Sequence, residues 1–187
     1  MRILLLDNHD SFTWNLHHLL EPYAHVDVVL NDAISVDEAA AYDRIVLSPG
    51  PGLPGEAGIM MELLWKLMPH KPILGICLGM QGMVEICGGT LFNQPKVMHG
   101  VAVMCQTVPP ADPLFQGLPE QFEVGLYHSW AADPATLPPA LRITARSEQG
   151  VIMALRHTRF HACGVQFHPE SVLTPAGPDI VRNWVEG

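Results

Sequence analysis

The first ninety residues alternate between short apolar runs and helix-like segments. Residues 3–6 precede 12–20, 26–30 precede 36–42, 45–47 precede 59–68, and 73–76 precede 78–87. Strand-like runs this short and this uniformly apolar need cover on both faces, which a parallel sheet with helices on either side supplies. The alternation therefore predicts an α/β fold. Within the first helix Phe12, Leu16, Leu19 and Leu20 recur at helical spacing, Ser11 is the predicted N-cap, and Pro22 stops the segment.

After Gly88 and Gly89 the texture changes. Strand-like runs at 101–108, 122–128, 141–147, 151–157 and 162–167 are separated by turns such as Pro109-Pro110 and Pro138-Pro139. This half predicts a smaller antiparallel or mixed sheet beside a mostly parallel central one, with an amphipathic closing helix at 178–185. No internal repeat or long linker interrupts the 187 residues, and 48% hydrophobic content fills one core. A single domain over residues 1–187 is expected.

Charge narrows the function classes. Ten basic against 19 acidic residues give a formal net charge of −9, and only Lys66, Lys71 and Lys96 are lysines. A surface that tracks phosphates is not built from such a balance, so nucleic-acid binding is not expected. Four cysteines, Cys77, Cys87, Cys105 and Cys163, form no C-x-x-C pair and suggest no disulfide framework. The opening apolar run, 3–6, is too short for a signal-peptide core or a membrane span. A reducing, cytoplasmic setting is expected.

Chemistry concentrates in three places. Gly75-Ile76-Cys77-Leu78-Gly79 follows an apolar run and opens a helical one. Glycines two positions either side of a nucleophile mark a sharp strand-to-helix turn, where a side chain would clash, and the helix N-terminus favours a thiolate. A cysteine in this setting is also compatible with a buried structural role; the glycine frame favours the reactive one. Ser48-Pro49-Gly50-Pro51-Gly52 ends the third strand, where open α/β sheets hold ligands. A loop of this kind supplies one backbone oxyanion donor, at Gly52, while the N–H of Leu78 supplies another, although a Pro/Gly loop alone is also an ordinary tight turn. His168-Pro169-Glu170 ends the last strand, 91 residues after Cys77. Nucleophile, general acid or base, and orienting carboxylate are then all available. Adjacent His17 and His18 are expected to diverge by about 100° on a helix, so no metal site is assigned.

Taken together, Leu47-Ser48-Pro49-Gly50-Pro51-Gly52, Leu74-Gly75-Ile76-Cys77-Leu78-Gly79-Met80-Gln81 and Gly164-Val165-Gln166-Phe167-His168-Pro169-Glu170-Ser171 resemble the class I glutamine amidotransferases. The start, Leu6-Asp7-Asn8-His9-Asp10-Ser11-Phe12-Thr13-Trp14-Asn15, with Lys96-Val97-Met98-His99-Gly100 and Tyr127-His128-Ser129, is similar to the branch that serves chorismate: component II of aminodeoxychorismate synthase or of anthranilate synthase. The resemblance implies a flavodoxin-like sheet and a Cys77, His168, Glu170 triad. It implies glutamine contacts at Gly50, Pro51, Gly52, Gln81, Ser129 and Trp130. It also implies ammonia delivery to a chorismate-binding synthase subunit, which alone would need Mg2+; no cofactor is expected in this chain. Met80 stands where the family often has His, and Trp130 where a smaller aliphatic residue is common.

The compact chain, closing about seventeen residues after Glu170, leans the reading towards the aminodeoxychorismate branch, with anthranilate synthesis as the alternative. The segments around Asp10-Ser11-Phe12 and Lys96 to Gly100 are expected at the synthase interface, although Asp10 or Ser11 as a helix cap and Lys96 as a solvated charge are equally open. A stand-alone γ-glutamyl hydrolase shares the same Cys77 and His168. A non-enzymatic interaction module is disfavoured because all three triad positions are filled.

Overall fold

The computed structural model describes residues 1–187, apart from the side chain of Lys96. Nine strands form one sheet: β1 (Arg2–Asp7), β2 (His25–Leu30), β3 (Arg44–Leu47), β4 (Ile73–Ile76), β5 (Leu91–Thr107), β6 (Gln121–Ala132), β7 (Leu141–Ser147), β8 (Ile152–His157) and β9 (Ala162–Val165). Their spatial order is β2-β1-β3-β4-β9-β8-β7-β5-β6. The β2-β1-β3-β4-β9 half is parallel, as in flavodoxin-like sheets. From β9 outward the pairing is antiparallel.

Alternation inside β1 shows why it is apolar from Ile3 to Leu6. Ile3 and Leu5 pack into one core with Leu16 and Leu20 of α1 (Thr13–Leu20) and Ile180, Val181 and Trp184 of α5 (Gly177–Glu186). Leu4 and Leu6 point the other way, into a core with Val36 of α2 (Val36–Ala39), Leu63 and Leu64 of α3 (Met60–Leu67) and Met83 of α4 (Leu78–Ile86). Side chains alternate across a strand, so cover on both faces removes any reason for a polar position. Each such fully buried side chain contributes about 1.5–3 kcal/mol.

Four details differ from the sequence reading. The antiparallel strands are not a separate small sheet; they continue the parallel one through the β8–β9 pairing, Ala154 opposite Val165 and Arg156 opposite Cys163. Strand β5 starts at Leu91, because residues 91–93 and 98–106 both pair with β6 across irregularities around Asn93/Met98 and His99/Val101. Pro95 and Gly100, with φ +65°, interrupt the alternation that would have marked this strand. Helix α2 lasts one turn only, held by Ser35 and Glu38, each side chain bonding the other's backbone N–H. Ser11 caps nothing: the residue before α1 is Phe12, whose N–H donates to Asp10 Oδ2 at 2.7 Å, while Thr13 Oγ1 donates to Asp7 Oδ1 at 2.8 Å.

The carboxyl ends of β1, β3, β4 and β9 all face one edge of the parallel half. The segments that leave them carry Asn8 to Phe12, Ser48 to Gly52, Cys77, and Gln166 to Glu170.

Candidate active site

Cys77 occupies the turn between β4 and α4 with φ +51° and ψ −99°. A side-chain-bearing residue in that region carries strain of order 1–3 kcal/mol, tolerated where the surroundings over-determine it. They do so here. A Cβ on Gly75 would sit 2.5 Å from the carbonyl carbon of Gly79, and one on Gly79 would sit 2.7 Å from Leu47 Cβ. The Cys77 N–H donates to the Val165 carbonyl at 2.8 Å, and its own carbonyl accepts from Gln81 N–H at 3.0 Å. The glycines are thus needed for close approach of strand and helix, and the positive φ falls on the cysteine itself.

His168 and Glu170 lie on the turn after β9, both buried. His168 Nδ1 is 2.6 Å from Glu170 Oε1, while His168 Nε2 and Glu170 Oε2 are buried without a hydrogen-bond partner among the described residues. With Nδ1 committed to Glu170, Nε2 is the nitrogen left for Cys77. Burial opposes a charge on the imidazole, but Cys77 and Glu170 outweigh it and raise the pKa to about 10. The turn is fixed from below, where Thr174 Oγ1 donates to the His168 carbonyl at 2.7 Å and Gly177 lies against the Pro169 carbonyl with no room for a Cβ. Tyr127 packs its ring 4.8 Å from the imidazole and Phe12 edge-on at 5.9 Å.

The Pro-Gly loop meets the elbow. A Cβ on Gly50 would come within 2.6 Å of Asn8 and 2.9 Å of Leu78 Cδ2, so only glycine lets this loop close on the helix. Gly52 has φ +75°, and Glu56 Oε2 accepts from the neighbouring Leu53 N–H at 2.9 Å. A cleft of about 320 Å³ is lined by His9, Asp10, Ser11, Phe12, Pro49, Gly50, Pro51, Cys77, His99, Tyr127 and His168. Of the residues the sequence pointed to, Gly50, Pro51, Cys77 and His168 line it, with Glu170 behind His168. Gly52, Leu78, Gln81, Ser129 and Trp130 lie outside that lining. Leu78 contributes the first amide of α4, where N–H groups have no partner within the helix.

A polar layer lies behind the sulfur. Gln81 Nε2 donates to the Trp130 carbonyl at 2.8 Å and to Gln166 Oε1 at 3.3 Å, and Gln166 Nε2 donates to Cys77 Sγ at 3.4 Å. His128 Nδ1 lies 2.9 Å from the same Trp130 carbonyl. Burial, with a smaller contribution from nearby His168, pushes the His128 pKa down to about 4, so its ring is neutral at physiological pH. Sequence reasoning gave Gln166 and His128 no role. Gln166 was visible within the run that ends in His168, but its contact with the sulfur depends on β9 lying beside β4. Met80 is fully buried against Gly164 and belongs to the core, not to the rim of the cleft.

Among the cleft's other wall residues, the Asp10 carboxyl has a raised pKa, chiefly from burial, although its bond from Phe12 N–H and the charge on His168 pull the other way. The expected interface segments reach the cleft through Asp10, Ser11, Phe12 and His99; the Lys96 side chain lies outside the described residues. The adjacent histidines depart from expectation. His17 Nδ1 and His18 Nδ1 both reach Glu21, at 3.6 and 3.2 Å, because the carboxylate just past the end of α1 lies between the diverging rings. Their donor atoms all lie within 4.8 Å of one another.

The family described as Glutamine amidotransferase class-I matches residues 4–186. Aminodeoxychorismate synthase component 2 of Klebsiella aerogenes is 42% identical, over 98% of this chain and 98% of that protein. Anthranilate synthase component 2 of Mycobacterium tuberculosis is 41% identical, over 99% of this chain and 82% of its own length. The Bacillus subtilis relative, named aminodeoxychorismate/anthranilate synthase component 2, is 38% identical over 98% of this chain and 95% of its own. A glutamine amidotransferase structure from Thermotoga maritima superposes with TM-score 0.74 at 20% identity, covering all of this chain and 81% of that one, a likeness of fold.

Proposed function

Because this chain belongs to the class I glutamine amidotransferases, we propose that it is the glutaminase subunit of a chorismate-using synthase, with Cys77 as nucleophile and His168 and Glu170 completing the triad. The observation that carries the reading is the buried His168–Glu170 pair, 2.6 Å apart, beside a cysteine held at a strained strand-to-helix turn. The Cys77 thiolate attacks the side-chain amide carbon of glutamine. The tetrahedral oxyanion is held by the backbone N–H groups of Leu78 and Gly52, a pair of donors each worth about 3–4 kcal/mol in such sites. Protonated His168 gives its proton to the departing nitrogen, and ammonia leaves. Neutral His168 then takes a proton from water as the hydroxide adds to the glutamyl thioester, and glutamate is released. Glu170 keeps Nε2 facing the sulfur through its bond to Nδ1.

Gly50, Pro51, Gln81, Ser129 and Trp130 are proposed to hold the glutamine. Ammonia in bulk water at neutral pH would be protonated, so the cleft delivers it to the synthase subunit, where the rim residues Asp10, Ser11, Phe12 and His99 support contact with that partner. The partner chooses which ring carbon of chorismate is aminated, and it carries the Mg2+; aminodeoxychorismate and anthranilate are both served by the same ammonia. All four cysteines are free and no helix among the described residues is long and apolar enough to cross a membrane, in keeping with the proposed cytoplasmic setting.

Cys77→Ser tests the assignment with the co-purified synthase subunit. Glutamine-dependent product formation is expected to vanish while ammonia-dependent formation persists. Retention of full glutamine-dependent activity overturns the role of Cys77, and glutaminase turnover on γ-glutamyl peptides without any partner favours a stand-alone hydrolase. Product identification from chorismate and glutamine then assigns the branch.

A further inference from the structure

We propose that Gln166 is a catalytic residue of this glutaminase: its Nε2–H holds the Cys77 sulfur, stabilising the thiolate that departs when the glutamyl thioester is hydrolysed. Gln166 is fully buried, and its amide nitrogen lies 3.4 Å from Sγ. An amide looks nearly symmetric, so the case rests on which end faces the sulfur. The fold decides this. The Trp130 carbonyl can only accept, and it takes bonds from Gln81 Nε2 at 2.8 Å and His128 Nδ1 at 2.9 Å. Gln81 therefore presents N–H groups on that side, and the second of them reaches Gln166 Oε1 at 3.3 Å. Turning the Gln166 amide over would set two N–H groups against each other. Its nitrogen is thereby committed to the sulfur, through a chain that begins at a backbone carbonyl of β6.

A donor on sulfur acts unequally on the two halves of the reaction. During attack it raises the thiolate fraction but lowers the nucleophilicity of each thiolate, and the two effects largely offset. During hydrolysis the hydroxide adds to the thioester carbonyl, the C–S bond breaks, and its electron pair returns to Sγ. There the donor only helps, because a better-stabilised thiolate is a better leaving group. His168 Nε2 faces the same sulfur, but its proton goes to the nitrogen and comes back from the water, so Gln166 is the side chain whose donor stays on the sulfur through both halves.

The kinetic arm of the test rests on the glutaminase reading; the chemical arm needs only the thiol. Gln166→Met removes the N–H at similar volume, and Gln166→Glu keeps the acceptor for Gln81 while placing an oxygen against the sulfur. Folding of both is checked by thermal unfolding. The pH at which iodoacetamide alkylates Cys77 at half its maximal rate should rise by about one to two units in Gln166→Met, the worth of one hydrogen bond to a charged group, and further in Gln166→Glu. In glutamine turnover kcat and KM should fall together, by about tenfold, with kcat/KM little changed, and the glutamyl thioester should accumulate in acid-quenched protein observed by intact mass. A loss of folded sites alone lowers kcat with KM unchanged. An unshifted alkylation profile in either folded variant overturns the contact, and a parallel fall without thioester overturns the leaving-group role. Absence of glutaminase turnover in the unsubstituted protein together with its co-purified synthase subunit would overturn the functional reading while leaving the alkylation arm intact.

Discussion

Glu170 Oε1 stands 2.6 Å from His168 Nδ1 with both side chains almost wholly buried, so a carboxylate and an imidazole two residues apart in sequence form one ionic unit. Pro169 between them limits the backbone, and Glu170 Oε2 and His168 Nε2 are buried without a hydrogen-bond partner among the described residues. The imidazolium survives burial because Cys77 and Glu170 favour it.

Glu170→Gln is therefore expected to lower the His168 pKa from about 10 towards the ordinary imidazole value. A raised pKa means that the pairing stabilises the fold fully below about pH 6.5 and is lost as pH rises towards 10. The variant should lose stability mainly at and below neutral pH, and its alkaline limit of activity should move down. Ring-proton titration by NMR, with thermal unfolding at pH 6 and 9, measures both; an unmoved His168 titration would refute the pairing.

Gly79→Ala is expected to destabilise the protein by about 1–3 kcal/mol, since its Cβ would lie 2.7 Å from Leu47 Cβ and 2.8 Å from the Leu47 carbonyl oxygen. Glutamine turnover should fall with it, because helix α4 must shift away from β3 and carries the Leu78 amide along. Gly55→Ala, where a Cβ meets nothing within 4 Å, is the matched control and should change little. Urea unfolding midpoints of the two variants decide the comparison.

Asp112 is the ionic anchor of the antiparallel half. It accepts Arg156 Nε and Nη2, each at 2.7 Å, Arg142 Nη2 at 2.9 Å and the Leu114 N–H at 3.0 Å. Burial raises its pKa, but these partners overcome that and hold it below the ordinary carboxylate value. Asp112→Asn should cost about 3 kcal/mol at neutral pH, the lower end for breaking a buried pair, because both arginines remain partly exposed. A lowered pKa places the lost stability above about pH 4, so the difference from the unsubstituted protein should shrink on acidification. Equal urea midpoints at pH 7 would contradict this account.

His128 contributes in the opposite sense to His168. With its pKa lowered to about 4 by burial, the unfolded chain binds the proton more readily, so stability falls as pH drops from about 6.5 towards 4. His128→Gln should flatten that part of the stability profile while retaining a donor for the Trp130 carbonyl. Chemical unfolding at pH 7 and pH 4.5 reads the slope, and an unchanged slope would exclude His128 as its source.

How much of this was legible in the sequence follows from what each signal depends on. The alternating runs of the first half announced their strands because both faces of β1, β3 and β4 are covered, which leaves no polar position to confuse the pattern. The first ten residues of β5 were illegible because Pro95, Gly100 and two register shifts break the period of two. Ser11 looked like a cap by residue type, yet the Asp10 carboxylate reaches the Phe12 amide first.

The sequence by itself determined strands β1 to β4 of the parallel half and pointed to Cys77, His168 and Glu170 as the candidate triad, because a strand-to-helix elbow and a His-Pro-Glu turn are local and carry their own spacing. The run that became β9 was expected on the antiparallel side, yet it pairs parallel with β4. The sequence also pointed to the family, through three separated runs that resemble its motifs. Only the tertiary structure decided that β9 lies beside β4, which sets Gln166 against the Cys77 sulfur, and that β6 brings the Trp130 carbonyl to Gln81. Contacts between residues 49 to 89 positions apart leave no trace in local pattern, since the hydrogen bonds that fix them depend on strand order and register, not on spacing along the chain.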